Sequence, residues 1–162
     1  MGGDDRVTPA EKLSAGQPAA AEGIDGIRER LQAFFAQERT VAAAYVFGSR
    51  AAGCPRPHSD VDIAVILPAG LEAEAAFWER VRLMGRLEDA LHPLPVDVVD
   101  LERVPPLFAH EIIHSSVLLC EHDRDRRVLV EAARQAEYLD FYPYLRYYRK
   151  EVLGLDSPGT DP

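Results

Sequence analysis

Apolar residues recur along the chain at two different periods, and the changes of period mark its elements. Ile24, Ile27, Leu31, Phe34 and Phe35 stand three and four apart, which predicts an amphipathic helix ending near Gln37. The unbroken apolar run Val41–Phe47, closed by Gly48, predicts a short buried strand. AAGCPRPHS then forbids regular structure through its glycine and two prolines. Val61–Leu67 predicts a second buried strand, ended by Pro68-Ala-Gly70. Leu71–Leu91 returns to helical spacing, with Phe77, Val81, Met84, Leu87 and Leu91 on one stripe. Pro93 and Pro95 stop that helix. Val96–Leu101 predicts a third strand, Pro105–His114 a short helix and Val117–Glu121 a fourth strand. Arg124–Leu153 reads as a long helix that Pro143 kinks or splits near Leu139–Tyr142. This alternation predicts an α/β (α+β) fold, a mixed sheet of about four strands with helices packed mainly on one face.

At ~100–200 residues per domain, 162 residues argue for a single domain. Residues 1–22 lack any apolar period and are expected to be a disordered tail. Residues 23–122 form the expected core, 123–154 a C-terminal helical segment and 155–162 a frayed tail. Eighteen basic against 27 acidic residues leave a formal charge of −9, which argues against stable binding of duplex nucleic acid. The longest apolar run is far short of the ~18 residues a membrane span needs, and the opening MGGDDRVTPAEK lacks the order of a secretory signal. Cys54 and Cys120 match neither a zinc spacing nor a disulfide framework. A cytoplasmic protein with no membrane partner is the expectation.

One constellation changes the picture from fold to chemistry. Gly48-Ser49 ends a predicted strand, ten residues follow, and Asp60-Val61-Asp62 opens the next strand. Gly48 permits a sharp turn and a close backbone approach to a ligand. Ser49 suits the N-cap of a short helical turn, whose free N–H groups favour an anion such as phosphate. Asp60 and Asp62, two apart, point to one face of a strand. Adjacent carboxylates resist ionising unless a cation lies between them, and Mg²⁺ held by oxygen ligands is the usual one. Asp97, in the apolar strand PVDVVDL, completes the set if its strand neighbours the second; Asp100 faces the other way. Three carboxylates on two strands are able to hold two metals ~4 Å apart and to steady a leaving pyrophosphate.

The stretch GSRAAGCPRPHSDVDIAV, with Asp97 in a later strand, resembles the nucleotidyltransferase superfamily related to DNA polymerase β. Val41 through Glu121, including PVDVVDL and HEIIHSSVLLCE, is similar to the minimal nucleotidyltransferases, the antitoxin halves of HEPN–MNT toxin–antitoxin pairs. The resemblance implies a polymerase β-like fold, ATP as substrate and two Mg²⁺ ions. It implies that Gly48, Ser49 and Arg50 bind the nucleotide and that Asp60, Asp62 and Asp97 are the catalytic and metal-binding residues. It further implies transfer of AMP to a tyrosine of a partner HEPN ribonuclease, which silences that toxin. One departure stands out: many relatives carry a basic residue four positions after the glycine, where this chain has Ala52.

Two other functions compete. Nucleotidyl transfer to a small molecule such as an aminoglycoside usually needs a further substrate domain, for which Leu101–Pro162 is short. A catalytically weak antitoxin acting by occlusion is favoured by Ala52 and opposed by the three aspartates. His110 and His114, four apart, read as structural, since no catalytic glutamate accompanies them as in a zinc protease. Cys54 has no evident base. The aromatic run from Tyr138 to Tyr148 reads mostly as core packing, with any exposed remainder beside Arg146, Arg149 and Lys150 suited to a protein interface.

Overall fold

A computed structural model describes residues 24–51 and 59–154. The expected tails at both ends, and Ala52, Cys54, Arg56 and His58, lie outside the described residues. Four strands, β1 (Ala43–Phe47), β2 (Val61–Ile66), β3 (Val96–Asp100) and β4 (Val117–Glu121), form one sheet in the order β3-β2-β1-β4. Among the described residues five helices accompany them: α1 (Ile24–Gln37), the single turn α2 (Gly48–Ala51), α3 (Ala73–Leu91), α4 (Pro106–Ser115) and α5 (Arg124–Tyr147). A π turn, Tyr148–Val152, continues α5. β1 runs antiparallel to β2 and β4, whereas β2 and β3 are parallel. The parallel pair needs a crossover, and α3 supplies it.

Helices lie on both faces of the sheet, which refines the expected one-faced arrangement. Every residue of β1 is buried, so both of its faces require cover. Ala44, Val46, Ile63, Val65 and Val98 meet Ile27, Leu31 and Phe35 of α1 and Leu83 and Leu87 of α3. On the opposite face Tyr45, Phe47, Ala64 and Ile66 pack with Ala109 and Ile112 of α4 and Val130 of α5. Burial of these apolar side chains, each worth roughly 1.5–3 kcal/mol, is the main force holding the layers together. The buried Glu38 fixes α1 to α3 by accepting from Thr40 Oγ1 (2.7 Å), Arg82 Nη2 (3.3 Å) and Arg86.

Three sequence expectations are corrected. The core stripe of α3 is Ala76, Leu83, Leu87 and Leu91, while Phe77 is half-exposed. Pro143 stays inside α5, and the helix passes through Leu139–Tyr142 unbroken before its hydrogen bonding loosens at Tyr148. Of the aromatic run only Tyr138 is buried; Tyr144 (73% exposed), Tyr147 and Tyr148 face outward. Tyr138 stacks on His110 of α4 at 3.7 Å and meets Tyr142 one turn on at 5.6 Å. No helix of the described residues is long and apolar enough to cross a membrane.

Candidate active site

Strand register brings the sequence-predicted acids together. Asp62 is the in-register partner of Phe47 on one side and of Asp97 on the other. Directly paired residues point to the same face, so the Asp62 and Asp97 carboxylates share the face covered elsewhere by α4 and α5. They lie at the N-terminal ends of two parallel strands, where Asp97 is exposed and Asp62 half-buried. Asp60, two residues before Asp62, is exposed at the entrance to β2. Phe47 closes the inner side of this edge, its ring edge-on to Phe108 of α4 at 5.7 Å. Asp100, the competing third acid, faces away and is buried. Its carboxylate accepts from Arg103 Nε (3.0 Å) and from the Glu102 N–H (3.1 Å), which fixes the turn after β3.

Gly48 follows β1 with φ +71°, in the left-handed region that favours glycine. A Cβ at this position would lie 2.2 Å from Asp62 Oδ2. The absent side chain is what allows the turn to close over the Asp62 carboxylate. Ser49 lies inside the turn α2 (Gly48–Ala51) rather than ahead of it, directly after the left-handed Gly48. Arg50, expected to contact the nucleotide, is turned inward and only 3% exposed. Its Nε and Nη2 donate to the Ser59 carbonyl at 3.0 and 2.6 Å, and Nε also donates to the Asp60 carbonyl at 3.3 Å. Sequence reasoning missed this inward role. The available signal was an arginine placed directly after Gly48-Ser49, with a pair of acids on the far side of the turn.

The electrostatics follow from this packing. Burial raises the Asp62 pKa above the ordinary carboxylate range, and the charges of Asp97 and then Asp60 raise it further; Arg50 acts against them. A carboxylate among like charges gains from a cation, and a set made only of carboxylate oxygens suits a hard ion such as Mg²⁺. Among the described residues no three His, Cys, Asp or Glu side chains form a ready ligand set as they stand. The residues therefore fit the ion in donor chemistry and charge, with Asp62 and Asp97 already paired in the ladder.

Other candidates are absorbed by the fold. His110 Nδ1 lies 2.8 Å from Gln135 Oε1, and His114 Nδ1 lies 2.9 Å from the His110 carbonyl, so both rings are engaged at the α4–α5 contact. Burial pushes the Cys120 thiol up to about 11, the opposite of an activated nucleophile.

A family model described as polymerase beta, nucleotidyltransferase, matches residues 29–125. The chain belongs to this nucleotidyltransferase family. The matched span holds the whole sheet and every residue from Gly48 to Asp97, while most of α5 lies beyond it. Several solved structures are similar to the nucleotidyltransferase. One is a toxin–antitoxin crystal structure with AMP-PNP, at 24% identity and a TM-score of 0.54, covering 81% of this chain and 95% of that chain. Another is a variant of the toxin–antitoxin MntA–HpeT, at 24% identity and a TM-score of 0.53, covering 80% of this chain and 94% of that one. A third contains a tri-AMPylated Shewanella oneidensis HEPN toxin in complex with MNT antitoxin, at 20% identity and a TM-score of 0.52, covering 78% and 96%. At these identities the likeness establishes the shared fold. A search of curated proteins finds no match.

Proposed function

We propose that this nucleotidyltransferase transfers AMP from ATP to a tyrosine hydroxyl of a cytoplasmic HEPN ribonuclease and so acts as its antitoxin. The observation that carries this reading is the in-register pairing of Asp62 with Asp97 beneath Gly48, at an open strand edge. The acceptor class is supported by the similar structures, one with AMP-PNP and one with an AMPylated HEPN toxin.

Asp60, Asp62 and Asp97 would hold Mg²⁺, two ions in the full reading. When bound, the metal supplies positive charge at the reacting phosphate and the leaving pyrophosphate. Gly48 and Ser49 would line the approach of the triphosphate, with glycine letting the turn close over the Asp62 carboxylate. The tyrosine oxygen attacks the α-phosphorus of ATP, the bond from that phosphorus to the α–β bridging oxygen breaks, and pyrophosphate leaves. An Asp97 carboxylate oxygen takes the phenolic proton. Asp97 is the exposed member of the ladder pair, so it is the one an acceptor brought by another protein reaches first.

The test combines the protein, Mg²⁺, α-labelled ATP and the product of the neighbouring gene, the proposed HEPN protein, with an aminoglycoside in a parallel reaction. Label on the HEPN protein with wild type, and none with Asp60→Asn/Asp62→Asn, is the expected result. Label only on the small molecule supports the competing acceptor. An unlabelled HEPN protein that is still inhibited by the double variant supports occlusion.

A further inference from the structure

Arg50 presents a physical problem that its neighbours solve. A guanidinium that is 3% exposed is costly unless its donors are met and its charge is offset. Its fork grips the chain on the far side of the turn, at the carbonyls of Ser59 and Asp60, the last two residues before β2. Those two carbonyls belong to the peptide units that lead into the Asp60-Val61-Asp62 run. The arginine stands in α2, directly after Gly48 and Ser49, so one side chain joins the two halves of the site. To bind a phosphate in a two-pronged way, the guanidinium must present free donors to it. This head group is buried, and its planar fork is already committed to backbone oxygens.

We infer that Arg50 is a positioning residue: by clamping the Ser59 and Asp60 carbonyls it fixes the backbone from which the Asp60 and Asp62 carboxylates reach a divalent cation, and it does not touch the nucleotide. The inference rests on the proposed metal-binding role of these aspartates. It assigns Arg50 to the shell that orients metal ligands, where substitutions typically weaken metal affinity or activity roughly 10–100-fold. Lysine is not equivalent, because a single ammonium cannot reproduce the two-pronged contact made by Nε and Nη2.

The experiment is calorimetric titration with a non-hydrolysable ATP analogue, once with Mg²⁺ and once with EDTA. The proteins are wild type, Arg50→Ala and Arg50→Lys, each also combined with Asp60→Asn. Arg50→Ala is expected to weaken Mg²⁺-dependent binding roughly 10–100-fold, with Arg50→Lys in between, while binding in EDTA is unchanged. In the Asp60→Asn background the Arg50 substitutions are expected to add no more than about twofold, because the residue acts through that carboxylate segment. Equal losses in Mg²⁺ and EDTA would mean a phosphate contact and overturn the inference. A full Arg50 effect in the Asp60→Asn background overturns it as well. Should Arg50→Ala fail to fold, Arg50→Lys decides by the same comparisons, and wild-type behaviour of Arg50→Lys counts against the clamp. Wild type that binds no analogue with Mg²⁺ overturns the proposed function too; wild type that binds, with unchanged Arg50 variants, overturns this inference alone.

Discussion

At Gly48 a backbone requirement and a chemical one coincide. The positive φ excludes most side chains on conformational grounds, and the 2.2 Å approach to Asp62 Oδ2 excludes them on steric grounds. Gly48→Ala is expected to cost about 1–3 kcal/mol of stability from the left-handed backbone alone and to displace the Asp62 carboxylate. Urea unfolding gives the first effect, and nucleotidyl transfer at saturating Mg²⁺, expected to fall at least about tenfold, gives the second. Asp62 carries a pH prediction. Its folded-state pKa is raised, so in metal-free protein ionising it opposes folding. The penalty is absent below the ordinary aspartate value, where both states are protonated, and complete above the raised value. Asp62→Asn is therefore expected to melt above wild type at pH 7 in EDTA, with the gap closing toward pH 3. A lower melting temperature for the variant at pH 7 contradicts this assignment. The acids and the glycine were legible in the sequence because their spacing and the alternation of a strand speak for themselves. The inward turn of Arg50 was not, because an arginine in a loop has no periodic signature.

At the scale of elements, the strands were the most readable, since short apolar runs between turn signals leave little freedom. All four were expected within a residue or two of where they form; that β3 neighbours β2 was anticipated as a condition, while the register pairing Asp62 with Asp97 comes from the structure. Helix faces were less readable. In α3 two apolar stripes one residue apart compete, and only the packing on β3 and α1 decides that Leu83, not Phe77, turns inward. Leu83→Ala is expected to lose about 2–5 kcal/mol in denaturant unfolding, whereas Phe77→Ser stays within about 0.5 kcal/mol. Reversed magnitudes would restore the stripe expected from periodicity. The C-terminal tyrosines failed for a related reason. Helical spacing marks a face, but not whether another element reaches it, and beyond Tyr138 α5 presents Phe141, Tyr144 and Tyr147 outward.

At the scale of the whole molecule, a formal charge of −9 and 162 residues describe a small acidic protein with part of its acidity gathered at one sheet edge. A bound cation offsets that local charge, so the net figure overstates the repulsion met by an incoming triphosphate. The family model ends at the start of α5, and the helix beyond it carries exposed Tyr144, Tyr147 and Tyr148 among Arg146, Arg149 and Lys150. On the proposed function, this outward aromatic and basic surface is where an acceptor carried by another protein would meet the catalytic core. The most direct test of that account is mass spectrometry of the neighbouring gene's product, the HEPN protein the proposal calls for, after incubation with this nucleotidyltransferase, ATP and Mg²⁺. The predicted result is AMP on a tyrosine of the HEPN protein, present with wild type and absent with Asp62→Asn. An unmodified HEPN protein under conditions where wild type binds Mg²⁺ and ATP would contradict it.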